Sequence, residues 1–270
     1  MKLSINWLKD YVDLPESLDI KQLTYDLTMR TVEVEGFEAT ADLVEGIVVG
    51  LIKSVEAHPD ADMLRVCQVD VGSDKLLQIV CGGSNLYEGQ KVAVAPPGAW
   101  VKWHGEGDPI EIKEAELRGV KSQGMICGAS EINLDELFPV AEERQILDLK
   151  DFDAFAGQSL AEVLGLDDYV LEIDNKSMTH RPDLWGHYGM ARELAAIYDK
   201  TLKPLPPKPD LTGLKPYPVS IETDKCLRYD GLIYDGLHVE TSPFEMRKRL
   251  WSVDIRPINN LVDITNYVML

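Results

Sequence analysis

The first 40 residues predict a small α+β unit. Apolar positions recur there at three- and four-residue steps in two stretches, as in helices, and then alternate as in a strand. The first helical group is Trp7, Leu8, Tyr11 and Val12, the second includes Leu23 and Leu27, and the strand positions are Val32, Val34 and Phe37.

The second of these helices has the sequence of a capped start. Asp19 is placed to accept from the first free N–H groups of the helix, and Gln22 to reach back to the cap residue, as in a capping box. Leu18 precedes the cap and is expected to pack on Leu23 as a hydrophobic staple. A helix beginning next to Asp19 follows from this pattern.

The chain then changes to short β-rich stretches separated by Gly and Pro. The predicted strands cover residues 46–55, 64–71, 76–81, 90–95, 111–117 and 124–127. Several short strands at this spacing are typical of a small barrel. An OB-type barrel is the five-stranded form that most commonly also binds RNA.

Residues 150–200 return to helical spacing, with Asp183 as a candidate N-cap. The apolar stripe consists of Leu184, Tyr188, Ala191, Ala195 and Tyr198, widened by Leu194 and Ile197. This segment most simply completes the unit begun by residues 1–40, and the β-rich part is then an insertion.

A proline-rich linker at residues 203–218 predicts extended, non-helical chain. Beyond it, residues 219–222 and 229–239 predict strands. Ser242-Pro243-Phe244-Glu245 predicts a helix start with a capping box and Pro at the first helical position. The chain stops at Leu270 within an apolar stretch, and we expect this last domain to be cut short.

Composition limits how nucleic acid can be bound. The 270 residues carry a net charge of −19, which repels polyanions at long range and argues against non-specific binding of DNA or RNA by bulk charge. Residues 45–150 alone contain ten Lys and Arg against eighteen Asp and Glu. Any RNA contact must therefore come from a local patch. No stretch approaches the length of a membrane span, and we expect a cytoplasmic protein with no membrane partner.

The candidate patch is the turn between the predicted strands at residues 111–117 and 124–127. Arg118 and Lys121 lie on it among glycines that allow close approach to a backbone, and we expect them to contact RNA phosphate. Arg65 and Lys91 are further candidates. Two cations on a turn are also a common solvated surface.

Three other motifs have both a chemical and a structural interpretation. Residues 58–62, with one His and two Asp, suggest a metal site or an ordinary loop, and the loop is favoured because no Cys or second His is nearby. Residues 79–85 suggest a reactive thiol or phosphate cradle, but lack the Lys-Ser/Thr of a P-loop, which favours a strand ending in a turn. Residues 179–187 contain side chains that are common in catalytic sites, but the simpler interpretation is the segment that leads into a helix. We therefore expect no catalytic residue and no metal site.

The order of the motifs resembles one family. Residues 55–62, 66–72, 77–82 and 117–127 resemble the tRNA-binding OB domain found in bacterial phenylalanyl-tRNA synthetase beta subunits, some methionyl enzymes and free-standing tRNA-binding proteins. The flanks favour the first of these. Residues 1–8 and 32–36 resemble the first residues of the beta subunit. Residues 171–174, 180–183 and 189–196 resemble the segment after its barrel. Residues 256–268 resemble the start of its B3/B4 editing domain.

The resemblance implies an α+β multidomain fold. A split α+β unit (B1) would comprise residues 1–40 and 150–202, with an inserted OB-fold β-barrel (B2) at residues 41–149. The linker of residues 203–218 would lead to the start of the B3/B4 editing domain at residues 219–270.

The resemblance also implies an ATP-dependent aminoacyl-tRNA synthetase, a ligase of protein biosynthesis that joins phenylalanine to tRNA(Phe). The family enzyme has two alpha and two beta subunits. Its alpha subunit carries the ATP, Mg²⁺ and phenylalanine chemistry, and its beta subunit binds tRNA and edits mischarged tyrosyl-tRNA. The family's editing-pocket His would fall beyond Leu270, so we expect this part alone to be inactive and to bind no cofactor.

Two other functions stay open. The first is a scaffold that docks on the alpha subunit or on the rest of the beta subunit and does not bind tRNA on its own. The second is a free-standing tRNA-binding protein. The long flanks of the barrel argue against the second. Residues 100–109, with Trp103 and His104, look like an insertion in the barrel.

Overall fold

The structure is a computed structural model that describes residues 1–15, 17, 19–140, 142–214 and 217–270. It is a mixed α/β chain. The strands are β1 (Lys2–Ser4), β2 (Val34–Ala39), β3 (Val48–His58), β4 (Ala61–Asp70), β5 (Leu77–Cys81), β6 (Lys91–Ala95), β7 (Trp100–Val101), β8 (Ile110–Glu111), β9 (Ala115–Leu117), β10 (Val120–Ser122), β11 (Met125–Ile126) and β12 (Tyr169–Ile173). The helices are α1 (Ile5–Leu8), α2 (Ile20–Arg30), α3 (Leu160–Leu164), α4 (His187–Ile197), α5 (Phe244–Ser252) and α6 (Asn260–Met269).

A three-stranded antiparallel sheet combines the beginning of the chain with residues 169–173. Its order is β1-β12-β2, so β12 lies between two strands from the first 40 residues. Helices α2 and α4 cover the sheet, because their apolar faces share its core. That core includes Leu3, Leu8, Leu23, Leu27, Leu171, Ile173, Met190 and Leu194.

The start of α2 confirms one sequence prediction and corrects another. The Asp19 side chain accepts from the N–H of Lys21 at 3.3 Å, as a cap. Gln22 does not reach back. Its amide donates instead to the Asp26 carboxylate at 3.2 Å, a charged acceptor one turn along the helix. The predicted staple involves Leu18, which lies outside the described residues.

Two other helix predictions need correction. Helix α1 ends at Leu8, and Val12 instead forms an isolated bridge with Leu202. Helix α4 begins at His187 after Gly186, not at Asp183. The Asp183 carboxylate is paired with the guanidinium of Arg181 at 2.9 Å, and this charged bond is stronger than a bond to a backbone N–H.

A five-stranded antiparallel sheet occupies the middle of the chain in the order β11-β6-β3-β4-β5. Each predicted β-rich stretch contains all or part of a strand, and the predicted stretch 111–117 contains the last residue of β8 and the whole of β9. Strand β8 pairs with β7, and β9 forms a hairpin with β10. The predicted strands are therefore confirmed, and β7 and β10 are two further strands outside the predicted stretches.

The ladder of this sheet does not close into a barrel among the described residues. Its outer strand β5 is nevertheless linked to the chain just before β11. The N–H of Gln123 donates to the carbonyl of Gln78 at 2.7 Å, and the N–H of Val80 donates to the Ser122 hydroxyl at 3.0 Å. Individual hydrogen bonds, and not a continuous ladder, thus connect the two edges of the sheet.

The chain enters and leaves this β-rich part at adjacent points. The N–H of Gly157 donates to the carbonyl of Val49 at 2.8 Å, and the N–H of Leu160 to that of Ile47 at 3.0 Å. One apolar cluster joins the sheet to the segment that follows it. Its members include Val49, Ala93, Cys127, Leu137, Leu149, Ala154, Leu160 and Leu164.

The predicted strands at residues 219–222 and 229–239 are wrong. Neither segment contains regular secondary structure, and neither pairs with another strand in the described part of the chain. Apolar side chains in them, such as Tyr229 and Ile233, are exposed. A β-strand needs a partner for its backbone groups, and none is present here. The linker at 203–214 and 217–218 likewise contains no helix or strand, and Pro216 of the predicted linker lies outside the described residues.

The helix predicted to have Ser242 as its cap and Pro243 as its first residue begins one residue later, at Phe244. The Ser242 hydroxyl donates to the buried Asp263 carboxylate of α6 and does not cap α5. Asp263 also accepts from the N–H of Ile258 at 2.8 Å. This buried carboxylate therefore ties the start of α5 to α6, which explains why the capping box is not formed.

Helices α5 and α6 pack on the three-stranded unit through one tryptophan. The Trp7 ring is fully buried and stacks between His187, at 4.0 Å between centroids, and Tyr267, at 4.5 Å. Arg249 bridges the Asp10 carboxylate and the Tyr267 hydroxyl. Within the described ranges, no helix has the length and apolar character needed to cross a bilayer.

Candidate nucleic-acid interface

The hairpin formed by β9 and β10 presents Arg118 at its tip. Leu117 pairs with Val120, so Arg118 and Gly119 form the loop, with φ values of +47° and +83°. Positive φ at both loop positions is characteristic of the tight turn that matches the twist of a hairpin. The exposed guanidinium donates to the Asp60 carbonyl at 3.5 Å and forms no ion pair with any described carboxylate.

Lys121 follows on β10 but already has an anionic partner. Its ammonium lies 2.6 Å from the Glu114 carboxylate, which also accepts from the Gln123 amide at 3.1 Å. The bonds from Lys121 and Gln123 lower the pKa of Glu114. An RNA phosphate would therefore have to compete with Glu114 for Lys121.

The other two candidate cations lie in different places. Arg65 is half-buried on β4 and donates to the carbonyls of Asp62, at 2.9 Å, and Leu64, at 3.0 Å. Lys91 lies on β6, on the other side of β3, and its ammonium donates to the Phe152 carbonyl at 2.9 Å. The structure thus brings Arg65 and Arg118 to the β3–β4 hairpin and leaves Lys91 apart from them.

His58 holds the two hairpins together. It is buried, its Nδ1 accepts from the N–H of Asp60 at 3.1 Å, and its Nε2 lies 3.1 Å from the Leu117 carbonyl. Since Nδ1 accepts, Nε2 carries the proton and donates to Leu117. Among the residues described, no three His, Cys, Asp or Glu side chains are grouped to hold a metal ion. The histidine therefore has a structural task at the base of the hairpin.

Sequence reasoning missed Arg144, which lies beside the same hairpin. Its φ is +62°, and its carbonyl accepts from the N–H of Ser84 at 3.0 Å. This turns its exposed guanidinium toward Met63, with Nη1 and Sδ 3.9 Å apart. Arg144 follows Glu142 and Glu143 in a segment without a motif. The one sequence signal that could have indicated it is that no other arginine occurs between Arg118 and Arg181.

The turn after β5 is a structural loop, as the sequence indicates. Strand β5 ends at Cys81. Asn85 then exchanges two hydrogen bonds with the backbone of Ile146, at 2.9 and 3.1 Å. Burial raises the pKa of Cys81 to about 11 and that of Cys67 to about 12, and also raises the pKa of Cys127. These three thiols are buried, and their raised pKa values disfavour the reactive thiolate form.

The histidine-containing segment before α4 is also structural. Arg181 pairs with Asp183 and with Glu193, at 2.9 and 2.8 Å. His187 is buried, accepts at Nε2 from the N–H of Ser4 at 3.1 Å, and its pKa falls to about 4 because of burial. A neutral, stacked imidazole of this kind has no access to a substrate.

The loop predicted as an insertion forms a separate small surface. Residues 103–105 are one turn of 3-10 helix between β7 and β8. Trp100 and Trp103 are exposed, and the Trp103 ring meets His104 edge-on at 5.0 Å. The surrounding charges are mixed, with Lys113 paired to Glu111 at 2.9 Å.

Two family models match the chain. Residues 47–148 match a tRNA binding domain, and residues 225–270 match the B3/4 domain. The first range contains the whole five-stranded sheet and each of the cations at the β3–β4 and β9–β10 hairpins.

Full-length comparisons give the same result. All of this chain aligns with the phenylalanine–tRNA ligase beta subunit of Oceanobacillus iheyensis at 41% identity and with that of Chlorobium luteolum at 39%, covering 33% and 32% of those proteins. Among solved structures, the C-terminal domain of Plasmodium vivax p43 aligns at 33% identity with 30% of this chain and 43% of its own, and the TM-score of 0.23 supports no argument about fold. The chain spans about a third of the length of the curated relatives it matches. On the sequence identity along its whole length, the chain belongs to the family of phenylalanine–tRNA ligase beta subunits.

Proposed function

We propose that this chain serves, as part of a phenylalanine–tRNA ligase in the cytoplasm, to bind tRNA(Phe) and to assemble with an alpha subunit. The single observation that carries the proposal is that the tRNA-binding family match at residues 47–148 contains Arg118 and Arg144, whose exposed guanidinium groups form no ion pair with a described carboxylate. The enzyme would contain two alpha and two beta subunits. ATP and Mg²⁺ would act on the alpha subunit, together with phenylalanine.

The proposed architecture is a split B1 unit with an inserted B2 barrel of the OB type, followed by the start of B3/B4. Support comes from β12 lying between β1 and β2, and from the adjacent points at which the chain enters and leaves the β-rich part. The bonds from Gln123 and Val80 across the open sheet edges favour an OB-type barrel.

Arg118 is the proposed first contact with tRNA, with Lys121 as a partner once Glu114 is displaced. Phosphate contacts of this kind release counterions, so the affinity falls as salt rises. The net charge of −19 limits this binding to a local surface.

The test is a filter-binding titration of unmodified tRNA with the 270-residue chain across several salt concentrations. We expect a salt-sensitive affinity that falls roughly 20-fold at about 0.15 M salt on joint Arg118→Ala and Lys121→Ala substitution, since each lost phosphate contact removes about fivefold there. The control is Lys75→Ala, which removes one exposed cation from the turn after β4. A wild-type chain without salt-sensitive binding would refute the tRNA role.

A second function, a scaffold that binds the alpha subunit but not tRNA alone, is favoured by the ion pair between Lys121 and Glu114 and by the negative net charge. Light scattering of the chain mixed with the alpha subunit distinguishes the two. Stable co-elution without any tRNA binding supports the scaffold.

A further inference from the structure

Three arginine side chains contact the β3–β4 hairpin, and no atom of it is shared between two of them. Arg118 donates to the Asp60 carbonyl, Arg65 to the carbonyls of Asp62 and Leu64, and Arg144 lies against the Met63 sulfur. All of these contacts fall within residues 60–64. We call Arg65, Arg118 and Arg144 the hairpin arginine cluster.

The charges of this cluster are not neutralised by ion pairs. Within the described ranges, neither Arg65, Arg118 nor Arg144 forms a salt bridge, although the chain carries 46 acidic residues. In the same domain, Lys53, Lys113 and Lys121 each have a carboxylate partner. The neighbouring carboxylates of Asp60, Asp62 and Glu143 thus do not close over the guanidinium groups.

The guanidinium groups also have unused hydrogen-bond donors. Each guanidinium has five N–H groups, and the contacts to the hairpin occupy one or two of them. Their partners are neutral carbonyls and a thioether, which bind cations less strongly than an anion does. The cluster therefore retains donors and charge for a phosphate oxygen.

The cluster is held in place by the backbone around it. His58 fixes the β9–β10 hairpin through the Leu117 carbonyl, and the Ser84 N–H fixes the backbone of Arg144. Two of the arginines occupy left-handed backbone positions, at φ of +47° for Arg118 and +62° for Arg144. One strand and two turns thus present their cations at one hairpin, and the side chain of Met63, 63% exposed, is an apolar contact of Arg144.

We propose that Arg144, with Arg65 and Arg118, forms a site for the phosphate backbone of RNA at the β3–β4 hairpin. The proposal rests on the tRNA-binding function proposed above and names its surface, including a residue outside the recognisable motifs. RNA is favoured over an acidic protein because the cluster lies wholly inside the range that matches the tRNA-binding family. Guanidinium groups also fit the geometry of phosphate oxygens in pairs.

The test measures the anisotropy of fluorescently labelled tRNA with the 270-residue chain at several salt concentrations. Arg144→Gln and Arg65→Gln are each expected to lower the affinity about fivefold at roughly 0.15 M salt. Each should also reduce the steepness of log affinity against log salt by about 0.9, the value for one phosphate contact. Arg144→Lys keeps the charge and is expected to keep most of the slope.

Lys75→Gln is the matched control, and it should change neither quantity. Lys75 is exposed in the turn after β4, and the half of this strand beyond Arg65, residues 66–70, separates it from the cluster by about 17 Å. Thermal unfolding of every variant checks the fold. Glutamine retains a Cβ, so the backbone strain at Arg144 is the same in the variant and the wild type.

The outcomes separate this inference from the function on which it rests. Wild-type chain that binds no tRNA overturns both. In a second outcome, the double substitution of Arg118 and Lys121 weakens binding while Arg144→Gln and Arg65→Gln have no more effect than Lys75→Gln. That result overturns the cluster alone. Loss of binding to labelled polyglutamate without loss of binding to tRNA also overturns it and indicates an acidic protein ligand.

Discussion

At the residue scale, the surroundings of each titratable side chain decide whether it is available for binding. Lys121 and Arg118 lie on the same hairpin, yet only Lys121 is paired with a carboxylate. His58 and His187 have no free ring nitrogen, because backbone groups occupy both nitrogens of each ring. The nature of a residue therefore predicts its chemistry less well than its partners do.

The buried His187 predicts a pH dependence of stability. Its pKa in the folded chain is about 4, below the ordinary value of 6.5, chiefly because of burial. The unfolded chain therefore takes up a proton first as pH falls. The contribution is complete above about pH 6.5 and is lost progressively toward pH 4, by up to about 3 kcal/mol.

His187→Gln tests this contribution, because glutamine keeps a donor and an acceptor but does not titrate. Urea unfolding of both proteins between pH 4 and 7 measures the difference in free energy of unfolding. We expect the variant to be less stable at pH 7 and the difference to shrink as pH falls. A difference that is constant with pH would contradict the assignment.

At the scale of single elements, β3 is the strand on which the five-stranded sheet depends. It pairs with both β4 and β6, and Gly50 lies buried within it. A Cβ added at Gly50 would lie 2.5 Å from Val94 Cγ2 and 2.7 Å from Val69 Cγ1. The valine side chains pack over this position because it has no side chain of its own.

Gly50→Ala is accordingly expected to destabilise the chain by about 1–3 kcal/mol through overpacking. Gly36→Ala in β2 is the matched control, since a Cβ there would meet no atom within 4 Å. Chemical denaturation of the two variants measures the difference. Equal stabilities would show that the valine side chains move aside without cost.

The elements that could be predicted from the sequence are those with a local cause. The cap at Asp19 and the β-rich stretches before residue 126 depend on neighbouring residues and on alternation, and both are found. The cap at Ser242 is not found, because its hydroxyl bonds to Asp263, 21 positions along the chain. Arg144 was missed for the same reason, since its place beside Met63 depends on a contact across 81 positions.

At the scale of the whole molecule, α5 and α6 are joined to the three-stranded unit by a few side chains. Trp7 stacks on Tyr267, and Arg249 links Tyr267 to Asp10. Phe244 at the other end of α5 packs against Phe152 of the β-rich part, at 4.9 Å between ring centroids. One short helix therefore contacts both of the larger units.

Tyr267→Leu is expected to loosen this arrangement, because it removes the stack on Trp7 and the hydroxyl that accepts from Arg249. Aromatic pairs contribute about 1 kcal/mol beyond their buried area. Hydrogen exchange in residues 244–269 should therefore accelerate about fivefold. Tyr229→Leu, whose ring is exposed and makes no aromatic contact among the described residues, is the control and should leave the exchange unchanged.

The β-rich part begins and ends at neighbouring points, where Ala39 pairs with Tyr169 and Ile47 with Leu160. The flanking strands are thus already held together, whatever lies between them. A short loop from one to the other spans the gap at little entropic cost, because closing a loop depends only weakly on its length. Such an arrangement predicts that a chain in which a short loop replaces the intervening residues still forms the three-stranded sheet.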